Sequence, residues 1–328
     1  MRVWRLAVGV LLALSAARAF AQDPLPSWNE GPRKAAIVDF VHRVTTEGGR
    51  DYVAPADRIA TFDNDGTLWA EQPMYFQLIF CIAEVKRLAP QHPEWKTQEP
   101  FASILKGDVS HALAGGDKAL LQIVAAASFG ITKAEFDARV KEFLSSATHP
   151  RFHVPYTDLV YQPMLELLAY LRANGFKTYI VSGGGVDFMR VFALEKYGVP
   201  NEQVIGSMGK LKWVMHGTTP EQIKLPEILF IDDGPGKAMA IENIIGKRPI
   251  AAFGNSNGDL EMLQWTCAGE GARLCMFIHH TDAEREWAYD RDSKIGTLST
   301  GLDVATKMGW PVMDMRADWK VVFAFQAH

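Results

Sequence analysis

The sequence has no surplus of positive charge. Its 328 residues carry 34 Lys+Arg against 38 Asp+Glu, a formal net charge of -4. A chain that grips nucleic acid or an anionic membrane electrostatically needs a basic stripe, so this balance speaks against both partners. Long apolar runs are missing too: beyond the amino terminus no stretch approaches the roughly 20 residues that cross a bilayer. Cysteine is scarce, with Cys81, Cys267 and Cys275 only, and no CxxC pair marks a zinc site. There is no internal repeat and no low-complexity tract. What is there is 48% hydrophobic and 22% charged, an ordinary globular composition for one large domain or two moderate ones.

The amino terminus reads as a secretory leader. Arg2 and Arg5 precede a short apolar run, Leu6 to Leu14, and Ala19-Phe20-Ala21 offers a small-x-small cleavage site. Cleavage after Ala21 removes Arg2, Arg5 and Arg18, leaving 31 basic and 38 acidic residues, net -7. The expectation is an exported protein, periplasmic or secreted, with no membrane anchor after cleavage. In an oxidising compartment one disulfide is permitted, and Cys267 with Cys275 is the nearest pair; the alternative is three small buried hydrophobes.

Five short apolar runs have the length of buried parallel strands: Ile59–Phe62, Thr178–Val181, Ile228–Ile231, Ile250–Phe253 and Leu274–Ile278. Met164, Leu167, Leu168 and Leu171 mark a helix that stops at Asn174-Gly175. Strands alternating with helices predict an α/β fold with a Rossmann-like, mainly parallel sheet. Residues 73–155 break the alternation. Met74, Leu78, Cys81, Ile82, Val85 and Leu88 form one apolar helical stripe, read as core, and Thr132 with Glu135 forms a capping box. The expected division is a leader at 1–21, a core at 22–72 and 156–328, and an all-helical cap at 73–155 acting as a lid.

The first strand ends in Asp63-Asn64-Asp65-Gly66-Thr67. Residues two apart in an extended chain point to the same side, so Asp63 and Asp65 can face one ligand while Gly66 allows a sharp turn. One carboxylate can attack phosphorus and the other can carry the proton. Ser182-Gly183-Gly184-Gly185 closes another strand, where a hydroxyl and free N–H groups suit an anion.

These motifs resemble, in order, those of the haloacid-dehalogenase-like superfamily, and the helical insertion resembles the cap of its phosphoserine-phosphatase-like branch. The likeness spans about Ile59 to Leu263. It implies Asp63 as nucleophile, Asp65 as general acid and base, and Ser182, Gly183 and Lys237 as phosphate-binding groups. It further implies Mg²⁺ held by Asp63, Asp65, Asp259 and Asn255. The fourth motif ordinarily begins with an acid where this chain has Asn255, a neutral oxygen ligand. Asp232-Asp233 is a rival for that motif and Lys247 a rival for Lys237; the tight turn Gly234-Pro235-Gly236 disfavours the former. The implied activity is a Mg-dependent phosphomonoesterase acting on small phosphorylated metabolites. A haloacid dehalogenase is the rival enzyme, and needs neither metal nor Asp65; a phospholigand-binding protein that has lost turnover is the non-enzymatic rival. His279-His280 could face the site or be structural, Asp282 to Glu286 reads as a solvated, salt-bridged helix start, and Trp69 and Glu71, where the chain enters the cap, could line the substrate pocket though nothing in the sequence orients them.

Overall fold

The computed structural model describes residues 23–327, so the leader at 1–21 lies outside the described residues. Eight strands are present among them: β1 (Ile59–Phe62), β2 (Lys177–Gly185), β3 (Val204–His216), β4 (Thr219–Phe230), β5 (Ala251–Gly254), β6 (Leu274–Thr281), β7 (Ala288–Tyr289) and β8 (Val312–Asp314). The sheet order is β4-β3-β2-β1-β5-β6-β7, with β8 also on β6. Pairings among β3, β2, β1, β5, β6 and β8 are parallel. All four residues of β1 are buried, as a strand flanked and covered on every side must be.

Successive side chains of a strand point to opposite faces. Phe62, Ile180, Phe253 and Met276 pack with Phe40 and Val41 of helix Pro32–Thr45 and with Leu167 and Leu168 of helix Gln162–Ala173. Val181, Ala252, Cys275 and Phe277 face the other way, onto Leu260 and Leu263 of helix Leu260–Cys267. Helices thus cover both faces. Gly175 takes φ 78° and ends the Gln162–Ala173 helix where the Asn-Gly pair placed its stop.

The expected strand at Ile228–Ile231 is corrected. Residues up to Phe230 form the returning arm of an antiparallel hairpin with β3, paired Met208 to Phe230 and His216 to Thr219. Apolarity alone cannot separate a buried strand from a hairpin arm, and Ile228, Leu229 and Ile231 are in fact exposed. Cys267 and Cys275 are joined by a disulfide, while Cys81 is free and buried.

Residues 73–155 contain helices and turns but no strand, with Phe76–Leu88, Asp117–Ser128 and Lys133–Ser146 the longest helices. The Thr132–Glu135 capping box forms in both directions. The chain entering this insertion pairs with the chain leaving it: the Ala70 N–H donates to the Leu159 carbonyl at 3.0 Å, and the Tyr161 N–H to the Leu68 carbonyl at 2.9 Å. A second tie comes from the β3–β4 hairpin. The Gly130 N–H donates to the Lys224 carbonyl at 2.9 Å, and the Lys224 N–H to the Ile131 carbonyl at 3.0 Å.

The Lys224 ammonium is buried, pairs with Asp187, and sits 4.6 Å from the centroid of Phe136 in the insertion. One side chain therefore joins hairpin, insertion and the turn after β2. Lys224→Ala should destabilise the fold by about 2 kcal/mol, because the half-buried Asp187 is left without its counter-charge. The Lys224→Met/Asp187→Asn double variant should recover most of that loss in urea denaturation, which separates the orphaned charge from lost packing.

Candidate active site

The ends of β1, β2 and β5 converge on one buried cluster of carboxyl groups. Asp63 follows β1, and its N–H continues the ladder to the Phe253 carbonyl at 3.0 Å. Lys237, in helix Pro235–Ala240, places Nζ 2.6 Å from Asp63 Oδ1 and 2.5 Å from Asp259 Oδ1. The other oxygen of Asp259 accepts from the backbone N–H groups of Asn255 and Ser256, both at 2.9 Å. Asp259 thus spends its charge on the third-motif lysine and the turn after β5. Asp65 is held differently: the Trp69 indole N–H donates to its Oδ1 at 2.8 Å.

Gly66 turns the chain with φ 77°, and a Cβ there would stand 2.0 Å from Asn255 Nδ2 and 2.6 Å from Glu71 Oε1. Only glycine allows this approach. Gly185 does the same across the site, where a Cβ would stand 2.7 Å from Gln77 Nε2. A Cβ on Gly184 would lie 3.5 Å from each of Asp65 Oδ2, Ser182 Oγ and Gln77 Oε1, which places those three groups around one point. Gln77, from the first helix of the insertion, accepts the Gly185 N–H at 2.7 Å. Gly183 lies on the rim, its carbonyl accepting from the Ser207 hydroxyl at 2.8 Å.

Asp63, Asp65, Ser182, Lys237, Asn255 and Asp259 therefore share one site, with Gly183 at its edge. The rival Lys247 pairs with Asp57 at 2.6 Å on the exposed surface, away from the carboxyl cluster. Asp232 and Asp233 are not remote. Asp232 is fully buried near Lys237, with neither carboxyl oxygen hydrogen-bonded, and Asp233 flanks Gly183 and Gly258.

Several participants escaped the sequence. Glu71 is buried and its Oε1 accepts from Asn255 Nδ2 at 2.7 Å and from the Tyr289 hydroxyl at 2.8 Å. Its approach to the fourth motif depends on the Gly66 turn, which no spacing rule encodes. Gln77 carried no signal, since its neighbours mark only an apolar helix. His280 is structural: Nε2 stands 2.8 Å from the Gly66 carbonyl and Nδ1 3.1 Å from Glu286, whose other oxygen accepts from the Tyr161 hydroxyl at 3.0 Å. His279 pairs with Asp290 at 3.1 Å. The expected solvated helix start at Asp282 to Glu286 is corrected, because the segment is a turn with Asp282 and Glu286 both buried. Its charges were read as solvent-seeking, whereas Arg285 and His280 give them partners inside.

Burial pushes the carboxyl of Asp63 well up, reinforced by Asp259 and opposed by Lys237. Burial also raises Asp65, against the Trp69 hydrogen bond, and raises Glu71 strongly, against that of Tyr289. Desolvation disfavours the Lys237 ammonium, yet the Asp259 and Asp63 carboxylates outweigh it and raise its pKa. Among the described residues, five carboxyl groups (Asp63, Asp65, Glu71, Asp232 and Asp259) share this single buried ammonium. A set of hard oxygens with excess negative charge fits a hard divalent cation.

The chain's kinship follows from the same stretch. A family model for haloacid dehalogenase-like hydrolases matches residues 60–264, and the chain belongs to that family. No curated protein matches it by sequence. Among solved structures, a conserved protein of unknown function from Anaerococcus prevotii is 17% identical, with TM-score 0.52, over 76% of this chain and 86% of that one. A protein of unknown function from Bordetella pertussis is 14% identical, with TM-score 0.49, over 79% and 99%. A probable phosphoserine phosphatase from Vibrio cholerae is 17% identical, with TM-score 0.37, over 80% and 70%. The first of these likenesses bears out the mixed α/β fold with its mostly parallel sheet.

Burial raises the Asp232 carboxyl to about 7, with Lys237 pulling the other way. A carboxyl with a raised folded-state pKa holds its proton longer folded than unfolded, so its stability contribution is full below about pH 4 and is lost as pH rises toward 7. At roughly 1.4 kcal/mol per pKa unit the loss is up to about 4 kcal/mol. Asp232→Asn should flatten the fall in stability between pH 4 and 7, gaining on the wild type at pH 8. Chemical denaturation in EDTA across that range checks it.

Proposed function

We propose that this hydrolase is an exported, Mg²⁺-dependent phosphomonoesterase of small metabolites. The observation that carries the reading is the unequal handling of two neighbouring carboxylates, Asp63 buried and Asp65 half-buried. Asp63 is fixed on the Lys237 ammonium through one oxygen, while Asp65 is fixed by an indole N–H with its other oxygen turned toward Ser182 and Gly184. The first arrangement suits a nucleophile held in place, the second a proton carrier.

In this reading Asp63 attacks phosphorus and the alkoxide departs, leaving an acyl phosphate on Asp63. Asp65 gives its proton to the departing oxygen, then takes one from the water that hydrolyses the acyl phosphate. Its raised pKa favours the protonated form needed first. Ser182 and the Gly183 amide hold phosphoryl oxygens, as Lys237 does through its charge. Asp63, the Asp65 carbonyl, Asp259 and Asn255 would hold Mg²⁺, with Asp259 also bracing the turn after β5. When bound, the metal offsets repulsion between an anionic nucleophile and an anionic phosphate.

The helical insertion at 73–155 is assigned as the lid, supported by Gln77 reaching the Gly185 amide beside the phosphate groups. A lid of this kind favours small esters over proteins. The Cys267–Cys275 disulfide supports an oxidising destination, in keeping with the leader. The need for a second acid weighs against a dehalogenase.

Asp63→Asn should abolish turnover, since an amide forms no acyl phosphate. Asp65→Asn should divide by leaving group. Alkyl phosphates should lose about 10²–10⁴ in the first step, whereas p-nitrophenyl phosphate should give a burst of about one nitrophenolate per site and leave phosphate on Asp63. Rapid quench with intact-protein mass spectrometry reads both, and undiminished turnover of alkyl esters by Asp65→Asn would sink the role given to that residue. Activity that survives exhaustive EDTA treatment would remove the metal from the reading.

A further inference from the structure

Asn255 stands where the resemblance places an acid, so the metal site lacks one charge. A buried carboxyl group stands directly behind it. Asn255 is buried and gripped at both ends of its amide: the Thr67 hydroxyl donates to Oδ1 at 3.1 Å, and Nδ2 donates to Glu71 Oε1 at 2.7 Å. A carboxylate only accepts, so Glu71 fixes the amide with Nδ2 toward itself and Oδ1 away. Glu71 is itself 2% exposed and its hydrogen-bond donors, Asn255 and Tyr289, are neutral. The buried ammonium of the site is already taken up by Asp63 and Asp259. A buried carboxylate with neutral donors only is costly, and that cost is relieved when a cation stands nearby.

We propose that Asn255 and Glu71 form one metal-binding unit, in which Asn255 presents a neutral oxygen and Glu71, behind it, supplies the negative charge that sets affinity for a divalent cation. The inference rests on the Mg²⁺-dependent reading above. Gly66 is part of the unit, since any Cβ there would occupy the place where Asn255 and Glu71 meet. Glu71 acts here as a positioning and charge-supplying residue and touches no substrate.

The test is Mg²⁺ binding by isothermal titration calorimetry on the intact chain, with folding monitored by circular dichroism. Glu71→Gln should weaken Mg²⁺ binding by about tenfold or more, while Glu71→Gln/Asn255→Asp should return to within about threefold of the wild type, because charge count governs affinity at hard-cation sites. Wild-type Mg²⁺ affinity in Glu71→Gln overturns the inference while leaving the phosphatase reading intact, as does a weakened affinity that Asn255→Asp fails to restore. A raised KM for amine-bearing phosphate esters in Glu71→Gln, with unchanged Mg²⁺ affinity, overturns it in favour of substrate contact. No Mg²⁺ binding by the wild type overturns both together. Asn255→Asp alone gives a second readout should Glu71→Gln not fold. Two carboxylates then meet at the old hydrogen bond, so its melting temperature should fall without metal and rise with Mg²⁺ by more than in the wild type. An equal Mg²⁺-induced rise in both proteins overturns the inference.

Discussion

The buried ammonium of Lys237 is the interaction on which the site depends. It lies between Asp63 and Asp259 at 2.6 and 2.5 Å, and so ties the end of β1 to the turn after β5. Without it, two desolvated carboxylates would face each other in a medium that screens them poorly. Even with it the balance of charge stays negative, since Glu71 and Asp232 are buried close by and Asp65 is half-buried beside them. The raised pKa values of Asp63, Asp65, Glu71 and Asp232 share that origin: too little water and one cation among five acids. A structure that tolerates this imbalance has reserved room for positive charge from outside.

Around that nest the backbone is held with little slack. The first-motif turn is braced from beneath by a buried line of polar groups, Tyr161 to Glu286 to His280 to the Gly66 carbonyl. From above, Trp69 both donates to Asp65 and stacks on Phe192 at 4.5 Å, so the Asp65 carboxyl is aimed by an aromatic locked in the core. Holding reacting groups in a fixed geometry is worth more than any one contact they make.

Much of the site could be read from the sequence because it sits at strand ends, where a buried run stops and polar residues begin. The four ordered motifs supplied Asp63, Asp65, Ser182, Lys237, Asn255 and Asp259. What escaped was whatever depends on folding back. Glu71 reaches Asn255 across 184 positions only because Gly66 turns, and Glu286 is buried only because His280 and Tyr161 lie in wait for it. The antiparallel hairpin escaped for another reason. Its outer arm carries exposed Leu229 and Ile231, so hydrophobicity there signals a surface and not a core. Helical segments were easier, since the stripe at Leu78, Cys81, Ile82 and Val85 repeats at the helix period and is buried as that period requires.

The central position of β1 has a consequence for how the chain is made. Its neighbours are Lys177–Ile180 of β2 and Ala251–Phe253 of β5, both far downstream. Strand pairing this distant must meet the entropy of closing long loops before it gains anything. The segment that ends in Asp63 therefore has no sheet to join while the first half of the chain emerges. The core cannot close early on a partial chain, and the site forms only once the last of these strands have arrived.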